Sequence, residues 1–272
     1  MLAYSQDRPN PRDLRARILS SFTEQTLPMP PVELRRSVGH EGTEHFENPY
    51  GVLAFGGDVP IANYRRVLDF GCGCGRVARQ MLLQREIVPE RFLGLDLYEP
   101  SIQWCRDNLR QPGFEFRHLN AHNVGLNPSG VRHAELGTDE QFTLINAHSV
   151  FTHIVEPDLD YYFEQCARAL SHDGVLRTTW FLFDKINFPM MQEFQNCLYI
   201  NPDDPSNAAI YDVKFVRELF ARHGLTITTA HPPEMRGHQW LLYAQRGAGP
   251  HVAFRPDLAP TGLARPPASI DG

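Results

Sequence analysis

Apolar runs and amphipathic segments alternate along the middle of this chain. Apolar runs of strand length predict β-strands at Arg66–Phe70, Arg91–Leu95, Phe114–Leu119, Phe142–Ala147, Val175–Phe183, Leu225–Ala230 and Gln239–Gln245. Apolar residues at helical spacing predict helices at Gly75–Gln84, Pro100–Leu109, Pro157–Leu170 and Asp212–His223. Because strands alternate with helices, we expect right-handed crossovers and a mostly parallel sheet covered on both faces.

The connection between the last two predicted strands has no room for a crossover helix. It reads AHPPEMRGH, so these two strands are expected to pair antiparallel. The stretch Ala121–Glu140 is polar, contains Gly and Pro, and gives no helical pattern. Residues 61–246 therefore predict one α/β domain with a doubly wound, Rossmann-like sheet.

The two ends differ in composition from this middle zone. Residues 1–60 are rich in Pro, Arg and aromatic residues, and they hold a predicted helix near Pro11–Glu24 that is followed by the bend LPMPP. We interpret residues 1–60 as an N-terminal cap or lid. Residues 247–272 are dominated by Pro, Gly and Ala, which predicts a disordered tail.

Composition and charge exclude several classes of protein. With 272 residues, 42% hydrophobic and 21% charged, the chain is neither wholly disordered nor fibrous. A formal net charge of −6 argues against a broad nucleic-acid-binding face. The sequence shows no apolar run of the roughly 18 residues that cross a bilayer and no signal-type segment. We expect a cytoplasmic protein without a membrane span, and the sequence gives no oligomeric state.

The cysteines indicate neither a disulfide framework nor a metal centre. They are scattered and odd in number, at Cys72, Cys74, Cys105, Cys166 and Cys197. The first two form a C-x-C, but no further Cys or His pair stands at zinc-ligand spacing. We interpret this pair as small residues in a tight glycine loop, and we expect chemistry that needs no metal.

That glycine loop is the most informative segment of the sequence. An apolar run ends near Asp69, and Gly71, Gly73 and Gly75 follow before an amphipathic helix begins. Glycines allow a sharp turn and a close approach to a ligand, and a helix N-terminus offers free N–H groups to an anion. Asp96 ends the next predicted strand, where a carboxylate can accept both hydroxyls of a ribose. The segment predicts a cofactor that carries a nucleoside.

The spacing of the glycines decides between two kinds of nucleoside cofactor. A dinucleotide fingerprint has the form G-x-G-x-x-G, whereas Arg76 stands here in place of its third glycine. The pattern D-x-G-x-G-x-G instead resembles the first motif of class I S-adenosylmethionine (SAM)-dependent methyltransferases. The phrases LDFGCGCGRV, LGLDLYEPSIQWCRDNL, INAHSVFTHI and LSHDGVLRTTWF stand in that family's order and spacing. An NAD-dependent oxidoreductase is disfavoured.

The resemblance implies a fold and a cofactor. The family's sheet has seven strands in the order 3-2-1-4-5-7-6 with an antiparallel strand 7, and its cofactor is SAM. The resemblance assigns the glycine loop to the methionine part of SAM, Asp96 to the ribose, Leu97 to the adenine, and the end of the fourth strand to the methionine chain. Asn120 stands where the family often has an acidic residue near the adenine. The residues implied to hold SAM are Asp69, Gly71, Cys72, Gly73, Gly75, Asp96, Leu97, Asn120, Ala121, Ala147 and His148.

Methyl transfer to oxygen or nitrogen often needs a base that removes the acceptor's proton. The phrase SVFTHI follows the fourth predicted strand and places His153 near the expected site. His153 is the first candidate base because an unperturbed imidazole titrates near neutral pH, and His148 is the second. The alternative for His153 is that it only caps or packs a loop.

The sequence constrains the identity of the methyl acceptor less than it constrains the fold and the cofactor. The phrase PPVELRRSVG resembles the approach to the first motif in bacterial family members that act on sugars, lipids or secondary metabolites. Aromatic and methionine side chains over 181–212 either line an apolar acceptor pocket or form the core of an extra helical hairpin. We expect a small-molecule acceptor that is methylated at oxygen or nitrogen.

Three other functions stay open in the sequence. A nucleic-acid amino-methyltransferase would carry Asn/Asp-Pro-Pro-aromatic at the end of the fourth strand, where this chain reads NAHS. Nucleic acid is therefore not expected as a partner. A protein acceptor, and a non-catalytic SAM-fold module that binds a partner through its N-terminal cap, are the remaining alternatives. The intact glycine loop and Asp96 argue against the module.

Overall fold

The computed structural model describes residues 27–234 and 238–256. Within them lie the strands β1 (Arg66–Phe70), β2 (Arg91–Asp96), β3 (Phe114–His118), β4 (Phe142–Ala147), β5 (Leu170–Phe183), β6 (Cys197–Tyr199), β7 (Ala209–Asp212), β8 (Leu225–His231) and β9 (Trp240–Arg246). The helices are α1 (Val32–Ser37), α2 (Arg76–Leu83), α3 (Glu99–Asn108), α4 (Glu156–Ala169) and α5 (Val213–Arg222). In these residues no helix is both long enough and apolar enough to cross a membrane.

The main sheet has the predicted order and directions. Strands β3, β2, β1, β4 and β5 run parallel to one another in that spatial order. Strand β9 pairs antiparallel with β5 and with β8, which closes the order β3-β2-β1-β4-β5-β9-β8. Since β8 and β9 are the sixth and seventh predicted strands, the order 3-2-1-4-5-7-6 with its antiparallel strand is confirmed.

Helices cover both faces of this sheet, because successive residues of each strand point to opposite sides. On one face Val67 of β1 packs with Met81 of α2 and Cys105 of α3. On the other face Leu68 shares a core with side chains of α4 and α5. The parity of β1 therefore also places Asp69 on the face of α2 and α3.

The segment 181–212 contains the end of β5 and a β-hairpin of β6 and β7, and the expected helical hairpin is wrong. The end of β5 continues past the main sheet, where Phe181–Phe183 pairs parallel with β7, and β7 pairs antiparallel with β6. The loop between β6 and β7 contains NPDDPSN, whose Pro, Asn and Asp residues favour turns over helix. Trp180 and Tyr211 are buried in the core.

Residues 27–60 pack along α2 as the short helix α1, short turns and irregular chain. Arg79 of α2 donates to the carbonyl oxygens of Leu27, over 2.7 Å, and of Pro28. The side-chain oxygen of Gln84 accepts from the Ala54 N–H over 3.0 Å. These bonds fix the N-terminal zone beside the glycine loop. The helix expected at Pro11–Glu24 lies outside the described residues.

The chain after β9 does not become disordered at residue 247. The Val252 N–H donates to the Ile227 carbonyl over 2.8 Å, and the Ile227 N–H donates to His251 Nδ1 over 2.9 Å. Phe254 is buried, and the Arg217 guanidinium lies 4.5 Å from its ring centre. Composition alone missed the apolar side chains inside this Pro/Gly-rich segment. The expected disorder is wrong for residues 247–256, and residues 257–272 lie outside the described chain.

Candidate active site

A cavity of about 1310 Å³ opens at the edge of the sheet where β1, β2, β4 and β5 end. The glycine loop and the end of β2 form one side of it. Residues 36–40 of the N-terminal zone, residues 204–207 of the β6–β7 loop and residues 231–234 form other walls. Ligands of open α/β sheets bind at such an edge.

The backbone of the glycine loop requires glycine. Gly71 and Gly73 have φ values of +78° and +52°, in the region that L side chains rarely adopt. An added Cβ at Gly71 would lie 2.3 Å from Val150 Cγ2, and one at Gly73 would lie 2.4 Å from Val38 Cγ1. The loop is also bonded to the end of β2, because the Gly71 N–H donates to the Leu95 carbonyl over 2.7 Å.

Asp69 presents an unpaired buried oxygen. Asn146 Nδ2 donates to Asp69 Oδ1 over 2.6 Å, whereas Asp69 Oδ2 is buried without a hydrogen-bond partner among the described atoms. Burial raises the pKa of Asp69 to about 6. A cation beside Oδ2 would stabilise the ionised carboxylate, so this position fits the ammonium group of SAM.

Asp96 ends β2 and faces the same cavity. Its Oδ1 accepts from the Tyr98 N–H over 2.8 Å, and its Oδ2 accepts from the Gly73 N–H over 2.7 Å. Burial raises the pKa of Asp96, and the hydrogen bonds from backbone N–H groups oppose that shift. Each carboxylate oxygen keeps a further lone pair for a donor such as a ribose hydroxyl.

The cavity brings together most of the predicted site residues. Three of them lie outside it. Gly75 supports the loop from below, since a Cβ there would lie 2.5 Å from Leu109 Cδ1. Asn120 is exposed, and its side-chain oxygen accepts from Asn127 over 3.1 Å. Ala147 is buried in the core on the α4 and α5 side. The predicted residues that line the cavity are Asp69, Gly71, Cys72, Gly73, Asp96, Leu97, Ala121, His148 and His153.

The alternation of side-chain directions along the chain explains why Ala147 and Asn120 do not line the cavity. Side chains alternate between the two faces along β4, so Asn146 and His148 face the cavity while Ala147 between them faces the core. After β3 the chain likewise turns so that Ala121 lines the cavity and Asn120 points to solvent.

Sequence reasoning missed a row of polar side chains that crosses the sheet below the cavity. Asp69, Asn146 and Arg177 are register partners on β1, β4 and β5. The amide of Asn146 joins the other two, because its Oδ1 accepts from Arg177 NH1 over 2.7 Å. The sequence contains one signal that could have predicted this row, which is a charged or amide residue within each of these mainly apolar strands.

Two arginines approach the cavity from different sides. The Arg177 guanidinium lies 4.5 Å from the ring centre of Phe55 and 6.0 Å from that of Tyr243. Arg76, the first residue of α2, donates to His40 Nε2 over 2.8 Å. Burial lowers the pKa of Arg76, and the nearby positive charge of Arg177 adds to that effect.

His148 lies between these two guanidinium groups. Its Nδ1 is 3.4 Å from Arg177 NH1, and since arginine only donates, Nδ1 is the acceptor and Nε2 carries the proton. Burial, Arg76 and Arg177 hold the pKa of His148 well below its ordinary value. The imidazole is therefore neutral at neutral pH.

His153 stands at the exposed rim of the cavity. It belongs to a short turn, Phe151–His153, after β4. Its Nδ1 is 3.0 Å from the Ser206 carbonyl oxygen, so Nδ1 donates and Nε2 is left as the acceptor nitrogen. This contact links the turn to the β6–β7 loop.

A second polar wall follows β4. Ser149 has a φ of +57°, unusual for a residue with a side chain. Its N–H donates to Thr179 Oγ1 over 2.7 Å, its hydroxyl accepts from Gln239 Nε2 over 2.8 Å, and Thr179 donates to Gln239 Oε1. The backbone strain at Ser149 is held by this network, which links the ends of β4, β5 and β9.

The aromatic residues of the segment 181–212 do not line the cavity. Trp180 and Tyr211 belong to the core, whereas Met190 and Phe194 are exposed on the connection between β5 and β6. Only the loop residues 204–207 reach the cavity from this segment. The expected apolar acceptor pocket at these side chains is therefore wrong.

The sheet order, the glycine loop and the two carboxylates define a class I SAM-dependent methyltransferase domain. Residues 67–174 match the family model described as "Methyltransferase domain". The resemblance found in the sequence is therefore confirmed, and SAM is the cofactor of this class of enzyme.

Two curated bacterial proteins are similar to the chain. One is a malonyl-[acyl-carrier protein] O-methyltransferase from Bacteroides fragilis (strain 638R), 28% identical over 166 residues, which cover 59% of this chain and 30% of that protein. The other is a ubiquinone biosynthesis O-methyltransferase from Pasteurella multocida (strain Pm70), 27% identical over 114 residues, which cover 41% and 44%. The chain thus spans less than half the length of either relative.

Two solved structures share the fold. A SAM-dependent methyltransferase from Leishmania major has a TM-score of 0.54 at 15% identity, over 80% of this chain and 78% of that chain. The O-methyltransferase of a polyketide multienzyme from Brevibacillus brevis, solved with S-adenosylhomocysteine, has a TM-score of 0.50 at 14% identity, over 70% and 69%. At sequence identities this low, the similarity shows a shared fold and nothing further.

Proposed function

We propose that the protein transfers the methyl group of SAM to an oxygen atom of a small molecule. The observation that carries this proposal is the neutral His148 in the same cavity as the unpaired oxygen of Asp69. The names of both curated relatives, which are O-methyltransferases, support oxygen as the acceptor atom. Their bacterial sources also support a bacterial origin.

The cofactor's binding groups are assigned from chemistry and burial. Asp69 Oδ2 would take the ammonium group, Asp96 the ribose hydroxyls, and Leu97 and Ala121 the adenine side of the cavity. Arg76 begins α2 next to the glycine loop and would take the methionine carboxylate. SAM, when bound, supplies an electrophilic methyl group on a sulfonium sulfur.

His148 is the proposed base. It lines the cavity directly after β4, and its Nδ1 is an acceptor nitrogen held only by a long contact to Arg177. From there it can take the proton of an acceptor hydroxyl. His153, the first candidate from sequence, lies at the exposed rim, where its bond to Ser206 suits a role in closing the cavity.

Residues 27–60 are proposed to cap this site. Val38 lies against Gly73, and residues 36–40 line the cavity. Together with the β6–β7 loop they form walls around the cavity. Such walls favour a small acceptor over a folded protein surface.

Calorimetric titrations with S-adenosylhomocysteine and NAD test the cofactor part. We expect micromolar binding of the adenosyl ligand and weaker binding by Asp69→Asn. Incubation with methyl-labelled SAM and a metabolite extract, with and without protein, then tests the acceptor class. Label recovered in the small-molecule fraction supports the proposal. Binding of NAD alone, or label only in protein, contradicts it, and cofactor binding without transfer would favour the non-catalytic module.

A further inference from the structure

Four arginines line the cavity, and within the described chain Arg76 and Arg177 are the two that have no carboxylate partner. Arg36 pairs with Glu41, and Arg132 pairs with Asp158. Among the described residues Arg177 instead bonds the amide of Asn146, its Nε is buried without a partner, and Arg76 bonds only His40. Both guanidinium groups line the cavity.

This arrangement favours an anionic ligand. Two guanidinium groups on one cavity repel each other, and the neutral His148 near them adds no charge. The carboxylate of Asp69 opposes this repulsion at Arg76, and in the proposed assignment the ammonium group of the cofactor neutralises that carboxylate. The charge of the whole chain is −6, so the attraction for an anion is a local property of this site. A carboxylate accepts planar, paired hydrogen bonds from a guanidinium group.

The cofactor accounts for only one of the two arginines. Arg76 adjoins the glycine loop, whereas Arg177 lies on β5, two strands away from β1 in the sheet. Phe55 stacks on Arg177 and holds the plane of its guanidinium group. The second arginine is therefore left for the acceptor.

We propose that the acceptor is a small hydroxy acid whose carboxylate binds Arg177 and whose neighbouring hydroxyl is methylated beside His148. This inference rests on the proposed function. The distance of 3.4 Å between His148 Nδ1 and Arg177 NH1 sets the spacing of the two acceptor groups. This separation suits a carboxylate and a hydroxyl held close together, as on adjacent carbons of an aromatic ring.

The acceptor's carboxylate also prepares the base. It takes over the N–H of Arg177 that now contacts His148 Nδ1, and this frees Nδ1 for the hydroxyl proton. The hydroxyl oxygen keeps the electron pair of its O–H bond and uses it for the new bond to the methyl carbon, while the electrons of the broken carbon–sulfur bond stay on sulfur. The positive charge of Arg177 is one cause of the low pKa of His148, so the bound carboxylate makes the base stronger.

Salicylate, 4-hydroxybenzoate and salicylamide are suitable probes. The first has the proposed spacing, the second separates the two groups, and the third removes the charge. We would titrate each into the complex with S-adenosylhomocysteine, using wild type, Arg177→Gln, Arg177→Lys and, as a matched control, Arg110→Gln on the exposed surface. With SAM in the complex, the expected product from salicylate is 2-methoxybenzoate.

The wild type is expected to bind salicylate at least about tenfold more tightly than either analogue, and Arg177→Gln to lose about tenfold or more. Arg177→Lys should retain part of the affinity, and Arg110→Gln all of it. Equal salicylate affinity in wild type and Arg177→Gln would overturn the inference, as would no salicylate binding. If S-adenosylhomocysteine itself does not bind the wild type, the proposed function fails as well.

Discussion

Asn146 donates its side-chain amide to Asp69 over 2.6 Å, and through the oxygen of the same amide it accepts from Arg177 over 2.7 Å. One neutral side chain thus holds a buried carboxylate and a guanidinium group at a fixed separation. In the proposed assignment Asp69 serves the cofactor and Arg177 the acceptor. The relative position of the two ligands would then depend on a single amide.

Replacement of Asn146 by Ala should damage stability and cofactor binding together. It leaves Asp69 Oδ1 and Arg177 NH1 without their bonds, which costs about 1–3 kcal/mol for each unpaired buried group. Urea unfolding and titration with S-adenosylhomocysteine measure the two effects. Asn187→Ala, at an exposed position between β5 and β6, is the control. Unchanged stability in Asn146→Ala would show that water replaces both bonds.

Asp69 should make the ligand-free protein less stable at high pH. Its folded-state pKa of about 6 lies above the ordinary value of 3.8, so the folded state holds the proton more tightly. The stability from this group is complete below pH 3.8 and is lost as the pH rises through 6. Because Asn resembles the protonated acid, Asp69→Asn should be more stable than wild type at pH 8 by up to about 3 kcal/mol.

This gain should disappear below about pH 4, where the wild-type carboxyl is protonated as well. Urea unfolding of both proteins at several pH values checks the difference. The same variant should bind S-adenosylhomocysteine more weakly, so the buried charge favours function over stability. A pH-independent difference in stability would contradict the raised pKa.

The two candidate bases should separate in kinetics. We expect His148→Ala to lower kcat by about 10²- to 10⁴-fold with little change in affinity for S-adenosylhomocysteine. Because the pKa of His148 is held low, the wild-type rate should stay flat as the pH falls through 6.5. His153→Ala should mainly raise KM, since it loosens the contact to Ser206. A larger loss of kcat in His153→Ala than in His148→Ala would restore the assignment made from sequence.

Gly73→Ala should lower the free energy of unfolding through two separable effects. The positive φ costs about 1–2 kcal/mol for a residue with a Cβ, and the methyl group would meet Val38 at 2.4 Å. The double variant with Val38→Ala should recover the steric part only. Gly137→Ala, at a φ of +65° with open space around it, measures the backbone effect alone. Equal unfolding free energies for Gly73→Ala and Gly137→Ala would show that Val38 moves aside freely.

Periodicity and loop length predicted the strands of the main sheet and their directions, whereas the order of the strands came from the resemblance to the methyltransferase family. The antiparallel pairing of β8 with β9 followed from a connection too short for a helix. The hairpin of β6 and β7 was not predicted, because strands of three and four residues are too short to show the alternation of apolar and polar residues. The ordered chain at 247–256 was not predicted, because two apolar side chains, Val252 and Phe254, hardly change the average composition of the C-terminal segment.

Within the site, the glycine motif predicted which residues lie near the cavity, whereas the pairing register of the strands determined which of their side chains face it. Asp69 and Asp96 follow from their spacing to the glycines, and both line the cavity. Whether Asn146 or Ala147 faces the cavity depends on which residue of β4 pairs with Asp69 of β1. The sequence of a single strand does not reveal this pairing. Arg177 comes next to Asn146 only through the pairing of β4 with β5, residues far apart in the chain.

The segment that follows β9 has a consequence for the assembly of this protein. β8 is the last strand of the sheet, and an unpaired outer strand is a template for pairing with another chain. His251 and Val252 engage both backbone groups of Ile227 on that strand. His251 and Val252 thus cover part of the outer edge of β8 and hinder edge-to-edge pairing with another chain.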